Sequence, residues 1–313
     1  MQNHIPLVVD KLCNFSMEFY CEDLRQHGVV LVPPSSPEYD TLLADIQGRL
    51  NQRVAGSPPI LETLRSRVSD EDKDLSAILL NRGHCAIAAI QQIWTFEESN
   101  GRKSAGSIGG GAGWNPSLLL PFGIPAEHLK LYGYWHVILP GSKRYLNANG
   151  EQVGDNSDVR PPAADEVWVG GIAGGRTSGS RHRRSVHRVT LTLDGVFFVD
   201  GGFAGPNREH LWDMVVQSAD IHMQVANMAR QGRNEGLSPE RILTGIETVT
   251  GPSPDTPPFP PRSRDGNPEI YRDASLRRAA WIIGTSRRGQ GDERTILMLC
   301  AWADAVPPRL YKL

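Results

Sequence analysis

Val189-Thr190-Leu191-Thr192-Leu193-Asp194-Gly195-Val196-Phe197-Phe198-Val199 carries the clearest structural signal in the chain. Two runs rich in β-branched and aromatic residues flank an Asp-Gly pair. Such a link is the signature of a type I′ hairpin, whose two turn residues both take positive φ. The spacing predicts a hairpin over residues 186–200 that turns at Asp194-Gly195. Further strand-like runs lie upstream, at residues 77–80, 85–96, 118–120 and 132–139, separated by Asn81-Arg82-Gly83 and Pro140-Gly141. About six short strands with few helices between them predict an antiparallel, immunoglobulin-like β-sandwich over residues 76–205.

The flanks read as helical, which makes the expected class α+β. In residues 1–75, Ser36-Pro37-Glu38 sets a capping residue before a proline, and Leu42, Leu43, Ile46, Leu50 and Val54 fall at helical period. Residues 206–313 form the second flank. Leu211, Trp212, Val215, Val216, Ala219, Met223, Ala226 and Met228 trace one apolar face of a helix that starts after Pro206-Asn207. Ser238-Pro239-Glu240 opens another helix that stops near Gly251. Residues 252–268, rich in proline, predict an extended linker, and the apolar runs beyond it must pack on the rest of the chain.

Length and composition exclude several function classes. The chain has 313 residues, enough for about two domains. Its 33 basic and 35 acidic side chains give a net charge of −2. That balance does not describe a chain built throughout to bind nucleic acid. No window approaches the ~18 uninterrupted apolar residues of a membrane-spanning helix, and the first ten residues lack the basic start and apolar run of a secretory signal. Cys13, Cys21, Cys85 and Cys300 form no C-x-x-C pair. They read as small apolar residues in a reducing, cytoplasmic compartment, with a Cys13–Cys21 bridge as the alternative.

Most candidate sites fail their own spacing tests. Asp70, Asp72 and Asp74 alternate as in a calcium loop, but Leu75 stands where the turn glycine belongs and Asn81 where the bidentate glutamate belongs. The glycine-rich stretch 101–113 has no G-K-[ST] ending to reach phosphates, and Trp114-Asn115-Pro116 cannot open a helix, so a flexible connecting loop is expected there. There is no G-x-S-x-G and no H-E-x-x-H. His84 and Cys85 would point to opposite faces of a strand. Tyr132, Tyr134 and His136 share one strand face, which a core normally buries. Accordingly no catalytic set, metal set or cofactor is expected.

One segment stands apart. Arg176, Arg181, Arg183, Arg184 and Arg188 fall within thirteen residues, 176–188, and no acid intervenes between Glu166 and Asp194. Guanidinium groups at this density suit phosphates or another anionic partner, gripped through charge-assisted forks, although the aromatic residues that stack bases are missing. Segment charges give this cationic stretch an internal alternative partner, because residues 1–75 hold 12 acids and 7 bases, a net of −5. The leading expectation is a non-catalytic binding or interaction module. Its alternatives are a weak nucleic-acid or polyanion binder acting through residues 176–188, and an enzyme or metal-binding protein that assembles His136, His187, His210 and Asp213 from a distance.

Overall fold

A computed structural model of the chain describes residues 17–54, 74–111, 138–148, 152–154, 186–255, 267–305 and 310–313. The chain is mixed α+β, with five α-helices among these residues and sheets built mostly of antiparallel strands. Strands β1 (Glu18–Glu22), β2 (Val29–Val32), β3 (Ser76–Asn81), β4 (Ile87–Glu98), β5 (Lys103–Gly111), β6 (Lys143–Asn147), β7 (Gln152–Gly154), β8 (Val186–Phe198), β9 (Gly202–Ala204) and β10 (Tyr311–Lys312) divide between two sheets. Sheet A runs in the order β10-β9-β8-β4-β5, with β1 parallel to the first half of β8. Sheet B is antiparallel throughout, in the order β2-β3-β6-β7. Neither sheet closes on itself.

The two sheets share one apolar cluster. Leu31, Leu79 and Leu146 from sheet B meet Ile90, Trp94, Leu191 and Val196 from sheet A, all of them buried. Consecutive strands β3 and β4 lie in different sheets, so the short link Arg82–Ala86 carries the chain from one layer to the other. The other face of sheet B is covered by α1 (Tyr39–Val54), whose Tyr39, Leu43 and Ile46 pack on Val30, Ile78 and Tyr145. This is the helix that Ser36-Pro37-Glu38 announced. Two strands precede it, so the N-terminal segment supplies sheet as well as helix.

Helices α2 (Leu211–Asn234), α3 (Pro239–Thr250), α4 (Pro268–Gln290) and α5 (Asp292–Ala305) follow the sheets. The expected cap at Ser238 is present, its Oγ accepting from Arg241 N, and α4 has a cap the sequence reading did not name, Asn267 Oδ1 accepting from Glu269 N. Pro268, the last residue of the expected linker, is the first residue of α4. Twenty-four residues make α2 about 36 Å long. Its first turns put Leu211, Val215 and Ala219 on Phe197 and Phe203 of sheet A. Its later turns pack Ile221, Val225 and Ala229 against Ile242, Ile283 and Leu299 of the other helices. One helix therefore belongs to both the sheet layer and the bundle. Among the described residues no helix is long and apolar enough to cross a membrane.

Two expectations about turns fail. The chain runs straight through Asp194-Gly195, because β8 is a single strand of 13 residues. Gln91 pairs with Gly195 and Gln92 with Leu193, so Asp194 is the extra residue of a β-bulge. The hairpin turn comes at the next Asp-Gly, where Val199-Asp200-Gly201 link β8 to β9, Gly201 has φ of 91° and its N–H donates to Phe198 O at 3.0 Å. Gly195 is instead required by packing, since a Cβ there would sit 2.7 Å from Phe203 Cε2. The glycine-rich stretch is likewise not a connecting loop. Residues 103–111 form β5, which pairs with β4 from Glu97 to Ala89. Backbone hydrogen bonds to a long neighbouring strand outweigh the weak intrinsic strand preference of glycine.

His222 is fully buried in α2, its ring edge-on to Trp302 of α5 at 4.5 Å. Burial pushes its imidazole down to about 3, so it is neutral in the folded protein. An unfolded chain protonates this ring below pH ~6.5, so the residue lowers stability as the pH falls from ~6.5 towards 3. At pH 5 the loss relative to pH 7.5 should be about 2 kcal/mol. Denaturant unfolding of the wild type and His222→Leu at both pH values checks this. The wild type should lose about 2 kcal/mol more than the variant on acidification, and equal losses would contradict the assignment.

Candidate functional site

Of the five arginines singled out in the sequence, Arg176, Arg181, Arg183 and Arg184 lie outside the described residues, and Arg188 lies within them. Arg188 stands on β8 between β1 and β4, and the register places Glu18, Arg188, Glu97 and Lys103 in one row across four strands. Charges alternate along that row. Arg188 donates from Nε and Nη2 to Glu18 Oε2 at 3.1 and 3.0 Å, and its Nη1 lies 3.6 Å from Glu97. Lys103 Nζ reaches the same Glu97 at 3.4 Å. The guanidinium also sits 5.3 Å from the centre of the Tyr20 ring.

The electrostatics follow from this geometry. Hydrogen bonds from Arg188, then from the Tyr20 hydroxyl, hold the Glu18 carboxyl below its usual range. The bond to Glu18 raises the Arg188 guanidinium. Both groups are about half exposed, so water screens the pair and it contributes little to stability. What the pairing does is fix the charge of Arg188 in place. Among the described residues, the acidic N-terminal segment meets Arg188 through Glu18.

The next rows of this face are polar as well. Tyr20, Thr190 and Thr95 align in one row and Glu22, Thr192 and Ile93 in the other. Thr192 Oγ1 donates to Glu22 Oε2 at 2.9 Å. Beyond Thr192 the character of the face changes, because the first turns of α2 cover the second half of sheet A.

The histidine and aspartate candidates separate into two places. His187 is the second residue of β8, and its Nδ1 is buried without a hydrogen-bond partner. His210 and Asp213 belong to the loop and helix start seated on Asp194, which stands seven residues beyond His187 on β8, about 23 Å along the strand at ~3.3 Å per residue. His136 lies outside the described residues. Among the described residues, no group of three or more His, Cys, Asp or Glu side chains could hold a metal ion. Cys21 is a free thiol, its expected alternative partner Cys13 lying outside the described residues, and burial followed by the charge of Asp23 pushes it up to about 12.

His210 and Asp213 do meet. His210 Nδ1 and Asp213 Oδ2 are 3.3 Å apart, and Asn207 Nδ2 donates to the same oxygen at 3.0 Å. Asn207 Oδ1 accepts from Trp212 N in the first turn of α2. Asn207 and His210 hold φ of 60° and 58°, in the left-handed region that side chains other than glycine seldom adopt. The fully buried Asp194 enforces this shape. Its carboxylate accepts from Arg208 N at 2.8 Å and from Glu209 N at 2.7 Å, and its own carbonyl accepts from Asn207 N at 2.8 Å. Gly205 lets the loop approach, since a Cβ there would lie 2.6 Å from Asp194 O. Sequence reasoning missed Asp194 and Asn207. The only signal was an aspartate in the middle of an apolar strand, and it was read as a turn residue.

Comparison with protein-family models, curated proteins and solved structures finds no match to this chain.

Replacing Asp194 by Ala would take the acceptor away from the N–H groups of Arg208 and Glu209, and charge-assisted bonds of this kind are among the stronger ones. Asp194→Ala should therefore lose about 3 kcal/mol or more in urea unfolding, and Asp194→Asn, which keeps one acceptor, about half as much. A loss below about 1 kcal/mol in Asp194→Ala would contradict its role in seating the loop.

Proposed function

We propose that the protein is a non-catalytic binding or interaction module, an immunoglobulin-like sandwich with helices at both ends, and that its partner is anionic. Arg176, Arg181, Arg183 and Arg184 meet that partner. The observation that supports this reading is the engagement of Arg188. Glu18 and Glu97, which stand beside Arg188 in the sheet register, already bind it, and Glu97 also binds Lys103. The four arginines upstream bring no acid of their own, because none intervenes between Glu166 and Asp194. Cys21, Cys85 and Cys300 are free thiols, which suits a reducing, cytoplasmic setting.

Arginine forks on phosphates release counterions, so binding of this kind must weaken with salt. With four phosphate contacts to a single strand, affinity should fall about fifty-fold between 50 and 200 mM salt. The test is anisotropy of a fluorescein-labelled single-stranded oligonucleotide titrated with the full chain. Changing Arg181, Arg183 and Arg184 together to Ala should abolish the binding and leave the thermal midpoint within a degree or two. If the wild type shows no salt-sensitive binding, the reading fails. A large drop in the midpoint of the triple variant also overturns it, because the arginines would then be a structural strap.

One observation favours a second reading, an enzyme or metal-binding protein. His210 and Asp213 are brought together by a loop that holds two residues in the left-handed region. A carboxylate on one ring nitrogen orients a histidine as a base or a ligand. Zinc titration of the wild type and His210→Ala discriminates: a single site lost in the variant favours this reading, and identical titrations exclude a metal at His210.

A further inference from the structure

Segment 310–313 lies on sheet A in the manner of a bound peptide. Strand β10 pairs parallel with β9, Tyr311 beside Gly202 and Lys312 beside Phe203. Two main-chain bonds hold it: Tyr311 N donates to Gly201 O at 3.2 Å and Leu313 N to Phe203 O at 2.8 Å. Side chains then alternate between two anchors. On one face Leu310 packs against the Phe203 and Leu211 cluster, and Lys312 Nζ sits 5.4 Å from the centre of the Trp212 ring. On the other face the Tyr311 hydroxyl donates to Asp200 Oδ2 at 2.9 Å. Asp200 is held in turn, its Oδ1 accepting from Gly202 N.

Main-chain pairing at a sheet edge combined with alternate side-chain anchors is the way strand-addition modules take extended peptides. The β9 edge suits it. Gly202 keeps the approach open, because a Cβ there would lie 3.2 Å from Tyr311 Oη. The occupying strand is only two residues long, and Lys312 and Leu313 are exposed. Once it leaves, the carbonyls of Gly201 and Phe203 face outward, beside the apolar cluster and the rings of Phe203 and Trp212.

We propose that the β9 edge is a peptide-docking site that segment 310–313 occupies in cis, and that a partner protein's extended strand, apolar–aromatic–basic–apolar in sequence, takes the same seat in trans. This reading uses none of the arginines 176–188 and its test uses a different ligand, so neither test decides the other. In cis the segment competes at high effective concentration, which masks the seat.

The test uses the full chain and a fluorescein-labelled probe peptide whose central sequence is Leu-Tyr-Lys-Leu between Gly-Ser flanks. The double variant Y311A/K312A weakens the resident segment without touching the seat. The probe should bind that variant about tenfold or more tighter than the wild type, as release of an intramolecular competitor requires. Changing Tyr to Phe in the probe removes the bond to Asp200 and should weaken binding to the variant about tenfold. Equal binding to variant and wild type overturns the proposal, as does a probe indifferent to the Tyr hydroxyl. A variant that loses its far-UV circular dichroism overturns it too, since the segment would then be part of the core. So does a dimer that forms without binding the probe, which would make the occupant a second copy.

Discussion

The carboxylate of Asp194 is fully buried beside the junction of sheet A and α2, and it is satisfied by main-chain N–H groups of the loop between them. A buried charge without such donors would be costly, so the loop must bring Arg208 N and Glu209 N to it. The rest of the junction follows. Asn207 and His210 are forced into the left-handed region, Gly205 is required for clearance, and α2 starts with Leu211 and Trp212 already over Phe197 and Phe203. Because α2 then continues into the bundle, this single anchor sets the position of the helical layer relative to the sheets.

The division of sheet A into two halves is the consequence that matters for function. Where α2 covers the face, it is aromatic and apolar, with the Phe197 and Trp212 rings stacked at 5.8 Å. Where α2 does not reach, the face carries an alternating charge row and a threonine row. Arg188, the described member of the arginine segment, lies in that polar half. Segment 310–313 lies at the opposite end, beside the covered half. Two unlike surfaces on one sheet thus follow from where one helix begins.

Much of this was legible in the sequence, and the failures share a cause. Helices α1, α2 and α3 were readable because capping residues and apolar period are local properties, as at Ser36-Pro37-Glu38 and Ser238-Pro239-Glu240. Asp194-Gly195 was misread because turn chemistry is also local but not unique. Asp200-Gly201 carries the same pair six residues later, and the partner strand β4 decides which one bends. Residues 103–111 were misread for a related reason: nothing in a glycine-rich run shows that a long neighbouring strand will pair with it. The contact between His210 and Asp213 could be read from helical spacing, whereas Asp194, 14 and 15 residues before the amides it accepts from, could not. Glu18 and Arg188 stand 170 residues apart, and only the sheet brings them together.

Native-state hydrogen exchange at Arg208 and Glu209 tests the anchor most directly. These amides lie in a surface loop, and without Asp194 they would exchange through local fluctuations that do not depend on denaturant. If Asp194 ties sheet A to α2, both amides exchange only with the opening that also releases Leu191 and Leu193 of β8, with the same free energy and the same dependence on urea. Exchange that is faster than in the strand and insensitive to urea would contradict it.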